Sequence, residues 1–138
     1  MISKKKIVCP ENLLKIAKTK GPVKVVIVNA GKLVAIESAK EGVREGLINP
    51  IFVGDKLVIE KLAKSIAWNI SKYEIINEPV ENNTALIAAK LASEEKVKII
   101  VKGHIHTDIL MKAVLKRDLN LIGKKRLSHV WHMTLEKN

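Results

Sequence analysis

A turn with a lysine, a glycine and two histidines interrupts the sequence VKIIVKGHIHTDILMKAV, residues 97–114. An apolar run ends at Lys102 and Gly103, and His104 and His106 follow with one residue between them. A His-x-His pair at the end of a strand can place both imidazoles on one side of the chain, as zinc sites do. The same turn can also bind an anion, so these residue types allow two kinds of chemistry.

A metal site at this turn lacks a convincing set of ligands. His129 and His132 could complete one, but first-row metal sites also need rigidly held further ligands and groups that orient them. The nearby acid, Asp108, is more simply placed in the first turn of a helix, where a negative charge suits the helix dipole. The sequence therefore predicts no metal ion.

The anion-binding interpretation uses every residue of the turn. Gly103 lets the backbone approach a ligand, and Thr107 can cap the following helix, whose free N–H groups favour a phosphate. Lys102 adds a positive charge at the end of the strand. An ordinary strand–helix loop with a surface lysine explains the turn equally well. Neither GxGxxG nor GxxxxGK[ST] occurs in the sequence, so a nucleotide site would need another design.

A second basic cluster lies in GKKRLSHVWHM, residues 123–133. Arg126 ends a run of three basic residues and could contact a phosphate through two N–H groups. Ser128 beside His129 suggests a nucleophile and its base. Neighbouring side chains of a strand point to opposite faces, however, so this pair is poorly placed to share a hydrogen bond. A solvated basic loop is the alternative interpretation of the cluster.

The charge of the chain favours anionic partners. Its 138 residues contain 25 Lys and Arg against 14 Asp and Glu, a net charge of +11. Such a surplus attracts nucleic acid, acidic lipid or phosphorylated small molecules. Proteins that recognise bases use arginine and aromatic side chains, and this chain has three arginines and four aromatic residues. Nucleic acid is therefore the weaker candidate.

The sequence predicts a cytoplasmic protein. Its first ten residues, MISKKKIVCP, carry charges without the apolar stretch of a signal peptide. No apolar run approaches the roughly 20 residues of a membrane span. The single cysteine, Cys9, cannot form an internal disulfide and fits a reducing compartment.

Strand-like and helix-like segments alternate along the chain and must position these residues. Strands are predicted at 24–30, 50–55, 73–77 and 98–103, and helices are predicted to begin at Pro10, after Gly31, at Asp55, at Asn82 or Asn83, and at Thr107. The alternation indicates an α/β fold, a three-layer sandwich with a mostly parallel sheet. Ligands bind beyond the carboxyl ends of such strands. Without a repeat or linker, 1–138 is predicted to be a single α/β domain, with an ambiguous tail that allows a strand at 128–135.

These segments together resemble the phosphate acetyltransferase/phosphate butyryltransferase family. The resemblance rests on VVIVNAG, AIESAKEGVREGLINPIFVGD, TALIAAKLASEEKVKIIVKG, KGHIHTDILMKAVL and RLSHVWHM, and covers about Val23 to Met133. It implies a fold like one half of isocitrate/isopropylmalate dehydrogenase, as in phosphate acyltransferases. Residues 1–138 would then correspond to the N-terminal part of such an enzyme, whose active site lies between two domains.

The resemblance implies reversible transfer of an acetyl or butyryl group between coenzyme A and inorganic phosphate. Coenzyme A would be a substrate, and no other cofactor is expected. The motif positions assign substrate binding to Lys102, Gly103, Thr107, Arg126 and Ser128. Lys102 and Arg126 would hold phosphate or the pyrophosphate of coenzyme A, and Thr107 and Ser128 would donate hydrogen bonds. No catalytic residue is assigned.

Two departures from the family pattern affect these expectations. Lys32 stands near the place where family members often have an acid, and the family's chains are much longer. A truncated or partner-dependent enzyme is therefore expected, with a homo-oligomer or a separate chain supplying the other half of the site. The alternative is a non-catalytic module that binds coenzyme A or other phosphorylated ligands.

Overall fold

In a computed structural model of the chain, residues 9–123, 126–128 and 130–131 are described. Within them, five α-helices alternate with four β-strands, and a short 3-10 turn follows the last helix. In chain order the elements are α1 (Glu11–Thr19), β1 (Val23–Val28), α2 (Leu33–Arg44), β2 (Ile48–Gly54), α3 (Lys56–Ser65), β3 (Ile75–Asn77), α4 (Glu81–Ser93), β4 (Ile99–Lys102), α5 (Thr107–Val114) and the turn Arg117–Leu119. The predicted alternation is confirmed.

All four strands run parallel, in the spatial order β3-β2-β1-β4. Val26 of β1 pairs with Ile51 of β2 on one side and with Ile100 of β4 on the other. The first three strands are therefore added in one direction, and the fourth returns to the opposite side of β1. Such a reversal leaves a crevice at the carboxyl ends of the two strands that flank it, here β1 and β4.

The sheet separates two apolar cores. Val25 and Ile27 of β1 belong to the core under α2 and α3, whereas Val26 and Val28 belong to the core under α4 and α5. All four side chains are buried, as expected of a central strand covered on both faces. The three-layer α/β sandwich predicted from the sequence is thus confirmed.

The helix starts were predicted with mixed success. Asp55 caps α3, because its carboxylate accepts a hydrogen bond from the backbone N–H of Val58 at 3.2 Å. The cap predicted at Asn82 or Asn83 is wrong, because α4 already begins at Glu81 and its N-cap position has no side-chain hydrogen bond. Glu81 lies just before the predicted start and is already helical, so α4 begins one or two residues earlier than predicted.

The start of α5 also differs from the prediction. Thr107 is the first helical residue and not the cap, and the N-cap position belongs to His106. The backbone N–H of His106 donates to the carboxylate of Glu81 at 2.7 Å. The cap predicted at Thr107 is therefore wrong: no side chain forms a cap hydrogen bond at this helix start, and Glu81 holds the N-cap residue itself.

Helix α1 buries none of its side chains, and an ion pair of 2.6 Å between Lys18 and Glu45 joins it to the end of α2. No helix in the described part of the chain is long and apolar enough to cross a membrane. The strand predicted at 128–135 lies largely outside the described residues, and Ser128 itself is not in a strand.

Candidate functional site

Hydrogen bonds join the loop after β1 to the loop after β4. The backbone N–H of Gly103 donates to the carbonyl of Val28, and that of His104 donates to the carbonyl of Asn29, each at 2.9 Å. The side-chain amide of Asn29 returns a hydrogen bond of 2.5 Å to the carbonyl of His104. Asn29 has a φ of 51°, a left-handed conformation that asparagine tolerates better than most residues. The two loops therefore form one unit at the point where the sheet order reverses.

Only glycine fits at position 103, where the loops after β1 and β4 are in close backbone contact. A Cβ atom at this position would overlap the carbonyl oxygen of Val28 and lie 2.7 Å from that of Asn29. Backbone atoms at the end of a central strand cannot retreat without breaking the pairing. The structure thus gives Gly103 a packing reason, and the close approach of a ligand to it stays a prediction.

Lys102 stands between two cavities at this edge of the sheet. The first, here called the dyad cavity, has a volume of about 380 Å³ and is lined by residues that include Asn29, Glu81, His106 and Thr107. The second, here called the lysine cavity, has a volume of about 220 Å³, and its lining includes Lys32, Ser38, Gly103 and His104. Lys102 lines both cavities, so its ammonium group can serve a ligand on either side.

The lysine cavity suits an anion. Lys32 and Lys102 both line it, and none of its lining residues is acidic. Helix α2 begins beside it at Leu33 and has neither an acidic residue in its first turn nor a side-chain cap. Two ammonium groups and a helix start without a competing carboxylate favour a phosphoryl group here.

The dyad cavity has a different electrostatic character. One carboxylate oxygen of Glu81 accepts hydrogen bonds from the backbone N–H of His106 at 2.7 Å and from its ring Nδ1 at 2.8 Å. The backbone bond first, then the ring bond and the nearby charges of His106 and His104, hold the pKa of Glu81 below its ordinary value. Glu81 is therefore anionic at neutral pH and lies where the sequence predicted a bound phosphate, at the start of α5.

Three of the five predicted binding residues lie together. Lys102, Gly103 and Thr107 surround the turn after β4 and line one or both cavities. Arg126 and Ser128 are exposed and line neither cavity, so their contact with substrate stays a prediction. The remaining basic residues of that cluster, 124 and 125, lie outside the described residues.

Sequence reasoning missed other residues of the site. Asn29 and Lys32 follow β1. Their position after a predicted strand could have identified them, because the site was predicted to lie at the strand ends. Glu81 and His106 are 25 residues apart, and only the packing of α4 against α5 brings them together. In the part of the chain that is described, no group of three or more His, Cys, Asp or Glu is arranged to hold a metal ion.

A larger cavity of about 580 Å³ lies elsewhere, along α3 and the edge strand β3. Its walls include Trp68 and Tyr73, whose rings are 5.7 Å apart and pack against the buried Phe52. None of its lining residues comes from the loops after β1 and β4. Its shape follows from aromatic packing at the sheet edge, and the reversal point remains the candidate site.

The fold and the position of the site define an α/β protein with a parallel sheet covered on both faces and a cationic crevice at the reversal point. Within this class the chain is similar to phosphate acyltransferases. It is 31% identical over 120 residues to a phosphate butyryltransferase from Clostridium acetobutylicum, covering 87% of this chain and 40% of the relative. It is also 31% identical over 124 residues to a phosphate acetyltransferase from Rickettsia typhi, covering 90% of this chain and 36% of the relative.

Solved structures agree with this similarity at the level of the fold. A phosphotransacetylase from Streptococcus pyogenes superposes with a TM-score of 0.65 at 17% identity, over 78% of this chain and 42% of that one. A branched-chain phosphotransacylase from Enterococcus faecalis gives 0.56 at 22% identity, over 74% of this chain and 35% of that one. No family model matches the sequence. The resemblance stated from the motifs is confirmed, and the chain spans 36% to 40% of the length of the two curated relatives named above.

Proposed function

We propose that the protein acts in the reversible transfer of an acetyl or butyryl group between coenzyme A and inorganic phosphate. The names of the relatives support this reaction class. The observation that carries the proposal is the lysine cavity, where Lys32 before α2 and Lys102 at the end of β4 face one crevice without a carboxylate. Phosphate, acyl phosphate and coenzyme A are all anions, and a cationic crevice at the reversal point suits them.

The proposed binding mode places a phosphoryl group in the lysine cavity. Lys102 would contact its oxygens from the end of β4, and Lys32 would do so from the start of α2. Arg126 would add a bidentate contact, and Thr107 and Ser128 would donate hydrogen bonds, as the motif positions imply. Fixed cations and N–H donors would also stabilise the oxyanion that forms when a nucleophile attacks the acyl carbonyl.

The proposal includes a second protein surface over the site. Lys102, His106 and Thr107 are all exposed, whereas acyl transfer needs a site from which water is excluded. A second copy of the chain or a separate chain would provide that cover. Light scattering of the purified protein with and without coenzyme A measures this association, and we expect the larger species to gain population when coenzyme A is present. The proposed location of the reaction is the cytoplasm.

The experiment combines equilibrium binding of coenzyme A and of phosphate with a turnover assay using acetyl-CoA or butyryl-CoA. Lys102→Ala should weaken binding about tenfold or more, because a charge-assisted hydrogen bond contributes roughly 1.5–3 kcal/mol. Lys61→Ala removes the same charge from an exposed position on α3 and serves as the matched control. Binding without turnover would favour a non-catalytic module for phosphorylated ligands.

Two results would contradict the placement of the site. If Lys102→Ala and Lys32→Ala both bind coenzyme A as the wild type does, the phosphoryl group is not in the lysine cavity. If the protein instead binds nucleic acid in a salt-sensitive manner that coenzyme A does not displace, the positive charge serves a different partner.

A further inference from the structure

Glu81 and His106 form a carboxylate–imidazole pair on one wall of the dyad cavity. The Glu81 oxygen lies 2.8 Å from ring atom Nδ1 of His106 and 2.7 Å from the backbone nitrogen of the same residue. The two bonds fix both the loop and the ring, so the imidazole is held in one orientation. Because Glu81 belongs to α4 and His106 precedes α5, the pair depends on the packing of these two helices.

This contact determines which ring nitrogen of His106 is available. A carboxylate can only accept a hydrogen bond, so Nδ1 must carry the proton when the ring is neutral. The lone pair of the neutral ring is then on Nε2. Among the described residues nothing forms a hydrogen bond with Nε2, and the side chain is 77% exposed. Nε2 is therefore free to accept a proton from a ligand in the cavity.

The charges around the pair support a proton acceptor. Glu81 stays anionic at neutral pH because its hydrogen bonds lower its pKa, so its carboxylate accepts the proton carried by Nδ1 of His106. Lys102 faces the same cavity from the end of β4, His104 from the loop that follows, and Asn29 from the loop after β1. Lys102 is thus placed to attract an anionic ligand towards a ring that can take its proton.

We propose that His106 is the base that removes the thiol proton of coenzyme A, with Glu81 as the residue that positions it. The inference rests on the proposed function, because a thiol enters the cavity only if coenzyme A is a substrate. The thiol is the natural proton donor of that reaction, since the thiolate and not the thiol is the nucleophile. A base beside the nucleophile and a third group that orients the base is the arrangement expected for such activation.

The proposed step transfers the acyl group from phosphate to the sulfur of coenzyme A, while His106 takes up the thiol proton. The S–H bond breaks and its proton moves to Nε2, while the sulfur forms a bond to the carbonyl carbon of the acyl phosphate. The carbon–oxygen bond to the phosphoryl group then breaks, and phosphate leaves with the electron pair. The imidazolium finally returns its proton to phosphate or to water. In the reverse direction the imidazolium gives the proton to the departing thiolate.

The first measurement requires no substrate. Proton–nitrogen correlation spectra of histidine-labelled protein, assigned with His106→Asn, identify the ring nitrogen that carries the proton in the neutral form. We expect Nδ1–H in the wild type, the same form in Glu81→Gln, which keeps an acceptor, and a mixture of forms in Glu81→Ala. A wild-type ring protonated on Nε2 would overturn the proposal, whatever the protein binds.

The second measurement follows the thiol itself. Coenzyme A bound to the wild type should show the ultraviolet absorption of a thiolate at a pH where free coenzyme A shows almost none. His106→Asn keeps a donor for Glu81 but lacks Nε2, so the thiolate signal should fall to that of free coenzyme A while binding persists. Glu81→Gln should reduce the signal, and Glu37→Gln, the same charge change on the exposed face of α2, should leave it unchanged.

The outcomes separate this inference from the proposed function. Coenzyme A that binds to the wild type without forming a thiolate would overturn the role of His106 and leave the proposed function standing. A thiolate signal that survives in His106→Asn would have the same consequence. Absence of any coenzyme A binding would overturn both.

Discussion

Single backbone atoms decide how the site is assembled. Asn29 and His104 exchange backbone and side-chain hydrogen bonds across 75 positions of sequence, and Gly103 leaves just enough room for them to do so. Lys102, which ends β4 and pairs with Val28 of β1, therefore stands at a fixed distance from the loop after β1. Any residue that pushes these loops apart should damage folding and ligand binding together.

Gly103→Ala tests this tight contact. The added methyl group would collide with the carbonyl oxygens of Val28 and Asn29, and overpacking of this kind costs about 1–3 kcal/mol. We expect a loss of that size in the free energy of unfolding measured with urea, together with weaker binding of phosphate. Gly31→Ala is the matched control, since its Cβ would come no closer than 3.9 Å to Asn29 Oδ1. Equal stability of the two variants would show that the loops are not packed as described.

The carboxylate of Glu81 makes this region sensitive to acid. Its pKa is lower in the folded protein than the ordinary value of 4.5, because the folded state supplies hydrogen bonds from His106. The stabilisation is therefore fully present above pH 4.5 and is lost as the pH falls through the lower, folded-state value. Glu81→Gln should lose less stability than the wild type over this acid range, measured as the urea midpoint at each pH. A parallel loss in both proteins would mean that other carboxylates account for the acid sensitivity.

At the scale of elements, the sequence pattern specified what the elements are but not how their ends meet. The β-branched run from Val25 to Val28 predicted a central strand, because only a strand buried on both faces needs apolar side chains at every position. The pattern along the chain does not predict which side chains of other elements will contact a given turn. Glu81 holds His106, the N-cap residue of α5, where the sequence predicted a cap by Thr107, and Gly103 is necessary for packing against β1. The sequence therefore predicted a site at the strand ends where the two cavities lie, but it missed Glu81, whose carboxylate lines one of them.

Helix α1 is the element least tied to the fold. It buries no side chain, and its ion pair between Lys18 and Glu45 lies at the surface, where such pairs contribute about 0–1 kcal/mol. Lys18→Met should change the free energy of unfolding by less than about 0.5 kcal/mol, within the range of surface substitutions. The backbone amides of α1 should nevertheless exchange faster, as measured by hydrogen–deuterium exchange of peptides covering residues 11–19. A large loss of global stability would show that α1 is part of the core.

On the scale of the whole molecule, the net charge of +11 affects both folding and binding. The described ion pairs lie at the surface, and three of them join residues three or four apart in one helix. A surface ion pair within a helix contributes only about 0.3–0.5 kcal/mol, so screening these pairs costs little. Repulsion among the surplus lysines acts over the whole surface and opposes the compact state. Screening should therefore have opposite effects on stability and on the capture of anions.

Raising sodium chloride from about 0.01 M to about 0.15 M tests this balance, because the Debye length shrinks from about 30 Å to about 8 Å. The urea midpoint should rise as self-repulsion is screened, while the affinity for coenzyme A should fall as its attraction to the lysines is screened. Replacing the exposed Lys20, Lys61 and Lys64 with glutamine reduces the surplus away from the lysine cavity. This variant should show a smaller rise of the midpoint with salt and keep its binding of coenzyme A at the higher salt concentration. A urea midpoint that falls with salt in the wild type would mean that the surface ion pairs stabilise the fold more than the repulsion among lysines destabilises it. In that case the surplus of lysines would not destabilise the folded protein, and a bound anion would gain nothing by neutralising it.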